Sequence, residues 1–123
     1  MSDFPYQYVV LRCVPRVDRE EFLNVGVIMY SQAANFLGCA GFLDETKLLS
    51  FAPELDVSAL QSALDAVEAA CGGDGPTANS PLGQRFGWLA APRSTMLQPG
   101  PVHGGLAADP DIELARLVDM LVR

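Results

Sequence analysis

The sequence predicts an α+β fold, a small antiparallel sheet with two main helices packed on one face. The first third of the chain contains three apolar runs joined by short connections, which is typical of an antiparallel sheet. Two later segments repeat apolar residues every three or four positions, as amphipathic helices do. Apolar residues make up 50% of the chain, enough for one hydrophobic core.

Three strands are predicted in the N-terminal part of the chain, at residues 6–14, 22–31 and 36–42. The first ends at Pro15, which lacks the N–H that a strand ladder requires. One face of the second strand carries the apolar residues Leu23, Val25, Val27 and Met29. Its other face carries Asn24 and Gly26, both poor strand formers, so a reason of geometry or chemistry is expected for them.

The clearest helix is predicted over residues 56–71, which carry an apolar stripe at helical spacing. Asp56 is one candidate N-cap, and a frame that begins at Ser58 with a capping box to Gln61 is the alternative. The last helix begins at Asp109-Pro110, an N-cap followed by a proline. Residues 44–50 are interpreted as a short helix or a loop.

The segments between these helices complete one predicted domain over residues 1–123. Residues 72–81 are rich in Gly, Pro and Asn and predict a flexible loop. Phe86 and Trp88 are interpreted as core anchors, and residues 94–98 and 102–106 as two short strands. Met29, Met96 and Leu97, if exposed, would mark the surface of a homodimer.

Charge and composition exclude several function classes. The formal net charge of −7 would repel a phosphate backbone, so general nucleic-acid binding is disfavoured. The three cysteines are widely spaced and form no CxxC pair, and no cluster of His and carboxylates suggests a metal; we therefore expect no metal and no cofactor. We find no signal peptide and no membrane-length apolar run, so a cytoplasmic protein without membrane contact is expected.

Polar residues at both ends of the chain suggest an anion site. Its predicted ligand-binding residues are Arg12, Arg19, Asn24, Arg93, Ser94 and Thr95. Guanidinium groups, hydroxyls and an amide suit a phosphate or a carboxylate, so a phosphorylated small molecule is one candidate ligand. Structural alternatives stay open: Arg12 pairing with Glu20 or Glu21, Asn24 tying a loop, and Gly26 allowing a bulky neighbour such as Trp88 to pack.

His103, the single histidine, supports an alternative hypothesis. In that hypothesis the protein is an enzyme acting on a phosphoester or a nucleotide, with His103 as general acid or base and the arginines stabilising negative charge. The hypothesis requires His103 to lie in a cleft within reach of Arg12 or Arg93.

Three segments carry a family resemblance: Arg12-Cys13-Val14-Pro15, the run from Arg19 to Val27, and the run from Phe86 to Thr95. Together they resemble the bacterial domain-of-unknown-function family 3037 over nearly the whole chain, although Cys13 stands where an aromatic residue is commoner. The resemblance implies no activity. Because genes of this family often lie beside those of HipA-like kinases, it implies such a kinase as a partner and a non-enzymatic adaptor as the first functional hypothesis.

Overall fold

The computed structural model describes residues 3–73, 79–93 and 95–123. Its strands are β1 (Phe4–Cys13), β2 (Leu23–Ser31), β3 (Phe36–Gly41), β4 (Leu97–Pro99) and β5 (His103–Ala107), and its helices are α1 (Glu45–Phe51), α2 (Val57–Cys71), α3 (Leu82–Leu89) and α4 (Pro110–Leu121). A 3-10 turn, Val17–Arg19, lies between β1 and β2. The α+β class is confirmed. The predicted loop 72–81 lies partly outside the described residues.

The sheet is antiparallel throughout, and β1 is its central strand. One edge of β1 pairs with β2, which in turn pairs with β3. The other edge of β1 pairs with β4 near its C-terminal end and with β5 near its N-terminal end. Successive residues of β1 point to opposite faces of the sheet, so neighbours on this strand belong to different environments.

Helices cover both faces of the sheet. One core contains residues of α1, α2 and α3 packed on Val9, Leu11 and Ile28. The other contains α4 packed on Val27 and Met29. The two main helices, α2 and α4, therefore lie on opposite faces, whereas the sequence predicts both on one face. The physical reason is visible in β2: Val27, Ile28 and Met29 are all fully buried, so both faces of this strand require cover.

A β-bulge in β2 changes which of its side chains share a face. Leu11 pairs with Gly26 whereas Arg12 pairs with Asn24, which leaves Val25 as the extra residue. Leu23 and Val25 therefore join the α2 core, while Val27 and Met29 face α4. The predicted single apolar face of these four residues is wrong because a strict period of two does not continue through a bulge.

Two glycines of the sheet allow α2 to approach closely. A Cβ added at Gly41 would lie 2.5 Å from Leu64 Cδ2, and one added at Gly26 would lie 3.3 Å from Leu64 Cδ1. Gly26 thus makes room for Leu64 rather than for Trp88. Trp88 itself is 48% exposed, so its prediction as a core anchor is wrong, whereas Phe86 is buried as predicted.

The two long helices begin where the sequence indicated. Asp56 Oδ1 accepts a hydrogen bond from Ala59 N (3.0 Å), which selects Asp56 rather than Ser58 as the N-cap of α2. Asp109 Oδ1 accepts one from Ile112 N (3.1 Å) at the start of α4. Among the described residues no helix combines the length and the apolar character that a membrane crossing requires.

Candidate functional site

Arg12 lies on the α4 side of the sheet, between two neighbouring strands. Its Cα partners are Asn24 on β2 and Gln98 on β4. The guanidinium carbon lies 4.1 Å from the centroid of the Phe22 ring, a cation–π contact. The backbone at Gly100 also lies against the guanidinium, since a Cβ added there would be 3.0 Å from Cζ. A hydrogen bond from Gly100 N to the Val10 carbonyl (2.8 Å) holds this backbone in place.

The guanidinium of Arg12 has no acidic partner among the described residues. Its Nε is buried and has no hydrogen-bond acceptor in the structure. Buried donors are normally paired, and a charged donor without an acceptor costs free energy. The predicted alternative, an ion pair with Glu20 or Glu21, is not formed. Arg12 is therefore a cation fixed in place by packing, with hydrogen-bonding capacity left unused.

Asn24 is close to Arg12 in the strand register, but its side chain has a structural partner. Asn24 Nδ2 donates a hydrogen bond to the Leu121 carbonyl (3.0 Å). The last carbonyls of a helix have no partner within the helix, so this bond satisfies one of them and ties the end of α4 to β2. The amide nitrogen of Asn24 is thus used in the fold, at the end of a helix rather than at the loop that the structural alternative named.

Arg19 lies elsewhere, at the end of the 3-10 turn. Its Nε donates to a carboxylate oxygen of Glu21, and both side chains are exposed. This hydrogen bond is the main cause that holds the pKa of Glu21 below its usual range. Arg19 lines a cavity of about 710 Å³ together with Glu21, Glu54 and Asp56. Because acids surround Arg19 there, it does not form an uncompensated positive centre.

Arg93 and Thr95 lie on the opposite side of the sheet from Arg12. The Arg93 guanidinium carbon is 4.7 Å from the Trp88 ring centroid, and its Nη2 donates to the Trp88 carbonyl. Thr95 Oγ1 donates to the Leu97 carbonyl (2.7 Å). Both residues line a cavity of about 510 Å³ beside α2. Ser94, also predicted as a ligand-binding residue, lies outside the described part of the chain.

His103 is exposed on β5, where its ring stacks on Tyr8 with 5.2 Å between the centroids. It is in register with Tyr8, four residues along β1 from Arg12, a separation of about 13 Å in an extended strand. Neither the 710 Å³ cavity nor the 510 Å³ cavity includes His103 in its lining. The proximity to Arg12 or Arg93 that the enzyme hypothesis requires is not found.

A polar cluster that the sequence analysis missed joins β1 to α4. The Tyr6 hydroxyl donates to the Glu113 carboxylate, which also accepts from Arg116 Nε (2.8 Å) and Nη2 (2.7 Å). Burial, and then the hydrogen bond to Glu113, raise the pKa of Tyr6 to about 12. The hydrogen bond from Arg116 lowers the pKa of Glu113 despite its burial. An i, i+3 spacing of Glu and Arg was the available sequence signal, but it did not indicate Tyr6.

The structure also describes the side chains that could bind a metal and the apolar residues named as markers of a dimer surface. In the described ranges no group of three or more His, Cys, Asp or Glu side chains is placed to hold a metal ion. The residues expected to mark a dimer surface are not available for that role, since Met29 is fully buried, Leu97 is 8% exposed and Met96 packs against the core.

The predicted anion-site residues therefore do not meet in one hollow. Arg12 and Asn24 lie on the α4 side, Arg93 and Thr95 on the α2 side, and Arg19 beside the 3-10 turn. Alternation along β1 and β4 separates the first two pairs, because Arg12 and Gln98 face one way while Leu11, Leu97 and Pro99 face the other. Two separate places remain as candidates, the Arg12 surface and the 510 Å³ cavity.

The chain belongs to the family described as "Protein of unknown function (DUF3037)", whose model matches residues 8–122. Nearly the whole sheet and all four helices lie within the match. Neither a comparison with curated proteins nor one with solved structures gave a match.

Proposed function

We propose that this protein is a non-catalytic binding protein that holds an anionic group of a partner protein on Arg12. The observation that carries the proposal is the buried, unpaired Nε of a guanidinium that has no acidic neighbour. A carboxylate or a phosphate would supply the missing charge and the missing acceptor together.

The accessible part of Arg12 is its terminal end. Within the described residues no hydrogen bond uses either Nη, and neither nitrogen is among the fully buried unpaired atoms, so both retain contact with solvent. An anion can therefore approach the Nη atoms directly. The Phe22 ring, which the guanidinium contacts, is 42% exposed immediately before β2.

The surroundings of Arg12 favour a protein partner over an enclosed small molecule. A second arginine–aromatic pair lies near the same end of the sheet, where the Arg123 guanidinium carbon is 4.4 Å from the Phe42 ring centroid. The two phenylalanines are 42% and 37% exposed, and Phe42 N bonds to the carbonyl of the bulge residue Val25. Arginine is among the residues that dominate the binding energy of protein interfaces, and phenylalanine is enriched in interface cores.

Arg12 is also the more available of these two cations. Arg123 Nε pairs with Asp119 Oδ1 at 2.9 Å, whereas Arg12 has no such acid among the described residues. An acidic or phosphorylated side chain of a partner is thus expected at Arg12, with the rings providing apolar contact. A HipA-like kinase is the first candidate for that partner, on the family resemblance.

The test is calorimetric titration of the protein with a HipA-like kinase, repeated with Arg12→Gln and with Arg16→Gln. Arg16 is an exposed arginine already paired with Asp18 (2.7 Å), so its variant makes the same change of charge away from the proposed surface. We expect Arg12→Gln to weaken binding at least about tenfold, the usual effect of losing a charge-assisted hydrogen bond, and Arg16→Gln to leave it unchanged.

A second measurement separates the anion from the partner. Inorganic phosphate should raise the melting temperature of the wild type and not that of Arg12→Gln, because a ligand that binds the native state stabilises it. Absence of any complex with the kinase at micromolar concentration would remove the kinase from the proposal. Equal binding and equal phosphate response of the wild type and Arg12→Gln would remove Arg12.

A further inference from the structure

The 510 Å³ cavity lies on the α2 side of the sheet and has a consistent lining. One wall is α2, the other is the end of α3, and the floor is formed by β1 and β4. Its α2 wall consists of small or medium apolar side chains, among them Ala63, Ala66 and Val67, and Trp88 forms the facing wall. Small side chains on the helix leave the volume open, which longer ones would fill.

The polar groups of this cavity are few and lie together. Among the lining residues that the structure describes, Arg93 carries the single charge and Thr95 the single hydroxyl. None of the described lining residues carries a carboxylate, on a molecule whose formal net charge is −7. Ligand pockets of proteins have this character, a mostly apolar lining with a small number of placed polar groups, and volumes of this order.

The position of Arg93 is determined by contacts on two sides. Its guanidinium lies over the Trp88 ring, and its Nη2 donates to the carbonyl of the same residue. These contacts use one of the five N–H groups, and the described structure shows no acceptor for the others. The cation is thus held at the edge of an apolar cavity with donors free for a ligand, an arrangement that lowers the entropy cost of binding an anion.

Trp88 provides an independent reason to expect an occupant. It is the single tryptophan of the chain, and it is 48% exposed at the cavity wall. A half-exposed indole beside an apolar cavity gives a ligand a large rigid contact surface.

We infer that this cavity binds a small amphipathic organic acid, a molecule with an apolar body and one carboxylate. The body would lie between α2 and Trp88, and the carboxylate would accept hydrogen bonds from Arg93. The inference does not rest on the partner-binding role of Arg12, because the sheet separates the two places and they share no lining residue.

Because Trp88 lines the cavity, its fluorescence can report the binding of a ligand there. Decanoate is titrated into the protein while the tryptophan fluorescence is followed, and decanol, which has the same chain length and no charge, is the matched ligand. We expect decanoate to change the emission with saturation and to bind about tenfold or more tightly than decanol, since only the carboxylate forms charge-assisted hydrogen bonds.

Two variants assign the binding to this cavity. Arg93→Gln should abolish the preference for decanoate over decanol while weak binding of both remains. Ala66→Leu should fill the cavity and weaken both ligands about tenfold or more, whereas Ala115→Leu, the same exchange at an exposed position of α4, should leave both unchanged. Urea unfolding of each variant confirms that it is folded before it is titrated.

Three results would overturn the inference. The first is a tryptophan emission that decanoate leaves unchanged up to millimolar concentration. The second is equal affinity for decanoate and decanol in the wild type. The third is an Ala66→Leu variant that binds decanoate as the wild type does, which would place the ligand elsewhere.

Discussion

Replacing Tyr6 by Phe tests the polar cluster that attaches α4 to the sheet. The change removes one hydroxyl and keeps the ring, so it opens no cavity. The acceptor of that hydroxyl, Glu113, is 8% exposed and retains both hydrogen bonds from Arg116. A hydrogen bond to a charged group contributes about 1.5–3 kcal/mol, so we expect the free energy of unfolding to fall by about 2 kcal/mol at neutral pH.

The assay is urea unfolding with linear extrapolation, and Tyr8→Phe is the matched control. Tyr8 is also on β1 and faces the same side as Tyr6, but its hydroxyl has no hydrogen-bond partner in the described structure, and its ring contacts are with Tyr6 and His103. We expect Tyr8→Phe to change the unfolding free energy by less than about 0.5 kcal/mol. Equal losses in the two variants would refute the assignment of a buried charged hydrogen bond to Tyr6.

The destabilisation caused by Tyr6→Phe is predicted to depend on pH. The folded-state pKa of Tyr6 is raised from 10.0 to about 12, so its contribution is present in full below pH 10 and is lost as the pH rises towards 12. The pKa of Glu113 is lowered, so the stability it adds is present above its unfolded value of 4.5 and is lost as the pH falls through the folded value. The stability difference between wild type and Tyr6→Phe should therefore be largest near neutrality and decrease towards both extremes.

Two further predictions concern the fold. Gly41→Ala should lower the free energy of unfolding, measured by urea unfolding, by about 1–3 kcal/mol. The reason is that the added Cβ would lie 2.5 Å from Leu64 Cδ2 and 2.9 Å from a strand carbonyl. A variant as stable as the wild type would show that α2 can shift freely. Asp109→Ala should lower the free energy of unfolding by about 1 kcal/mol, because it removes the cap on Ile112 N. Asp111→Ala, which removes an acid from the same helix turn but keeps the cap, should lower it by less. The reverse order would contradict the capping assignment.

Most of the sheet and the two long helices could be predicted from the sequence because their signals are local. Alternation, short turns and a following proline indicated the strands. Asp56 and Asp109 indicated the helix starts, and both accept the expected backbone hydrogen bonds. Such signals depend on a few neighbouring residues and need no knowledge of the tertiary structure.

The features that were missed depend on contacts between distant segments. Helix α3 contains Gly83 and Gly87, and glycine disfavours a helix. Gly83 has a tertiary reason, because a Cβ there would lie 2.9 Å from the Tyr30 hydroxyl. The bulge at Val25 likewise has no local signal, yet it decides which side chains of β2 face α4.

The candidate site shows the same distinction. The residue types that could hold an anion were visible in the sequence, but their spatial grouping was not. The sequence does not show which acidic residue, if any, a given arginine contacts in the fold. Arg19 and Glu21 are two residues apart and neutralise one another, while Arg12 lies in a strand register with Asn24 and Gln98 and meets no acid among the described residues. Register and face, rather than residue type, determine which cation remains available.

The short strand β4 explains why two binding places can exist side by side in so small a protein. Gln98 is in register with Arg12 on the α4 side, while Leu97 and Pro99 form part of the cavity floor on the α2 side. Because successive residues of a strand point to opposite faces, these three residues contribute to both places without sharing a side chain. A ligand in the cavity and a partner at Arg12 would therefore not compete for the same atoms. The residues that we propose for each can be replaced independently, so failure of one proposal leaves the other intact.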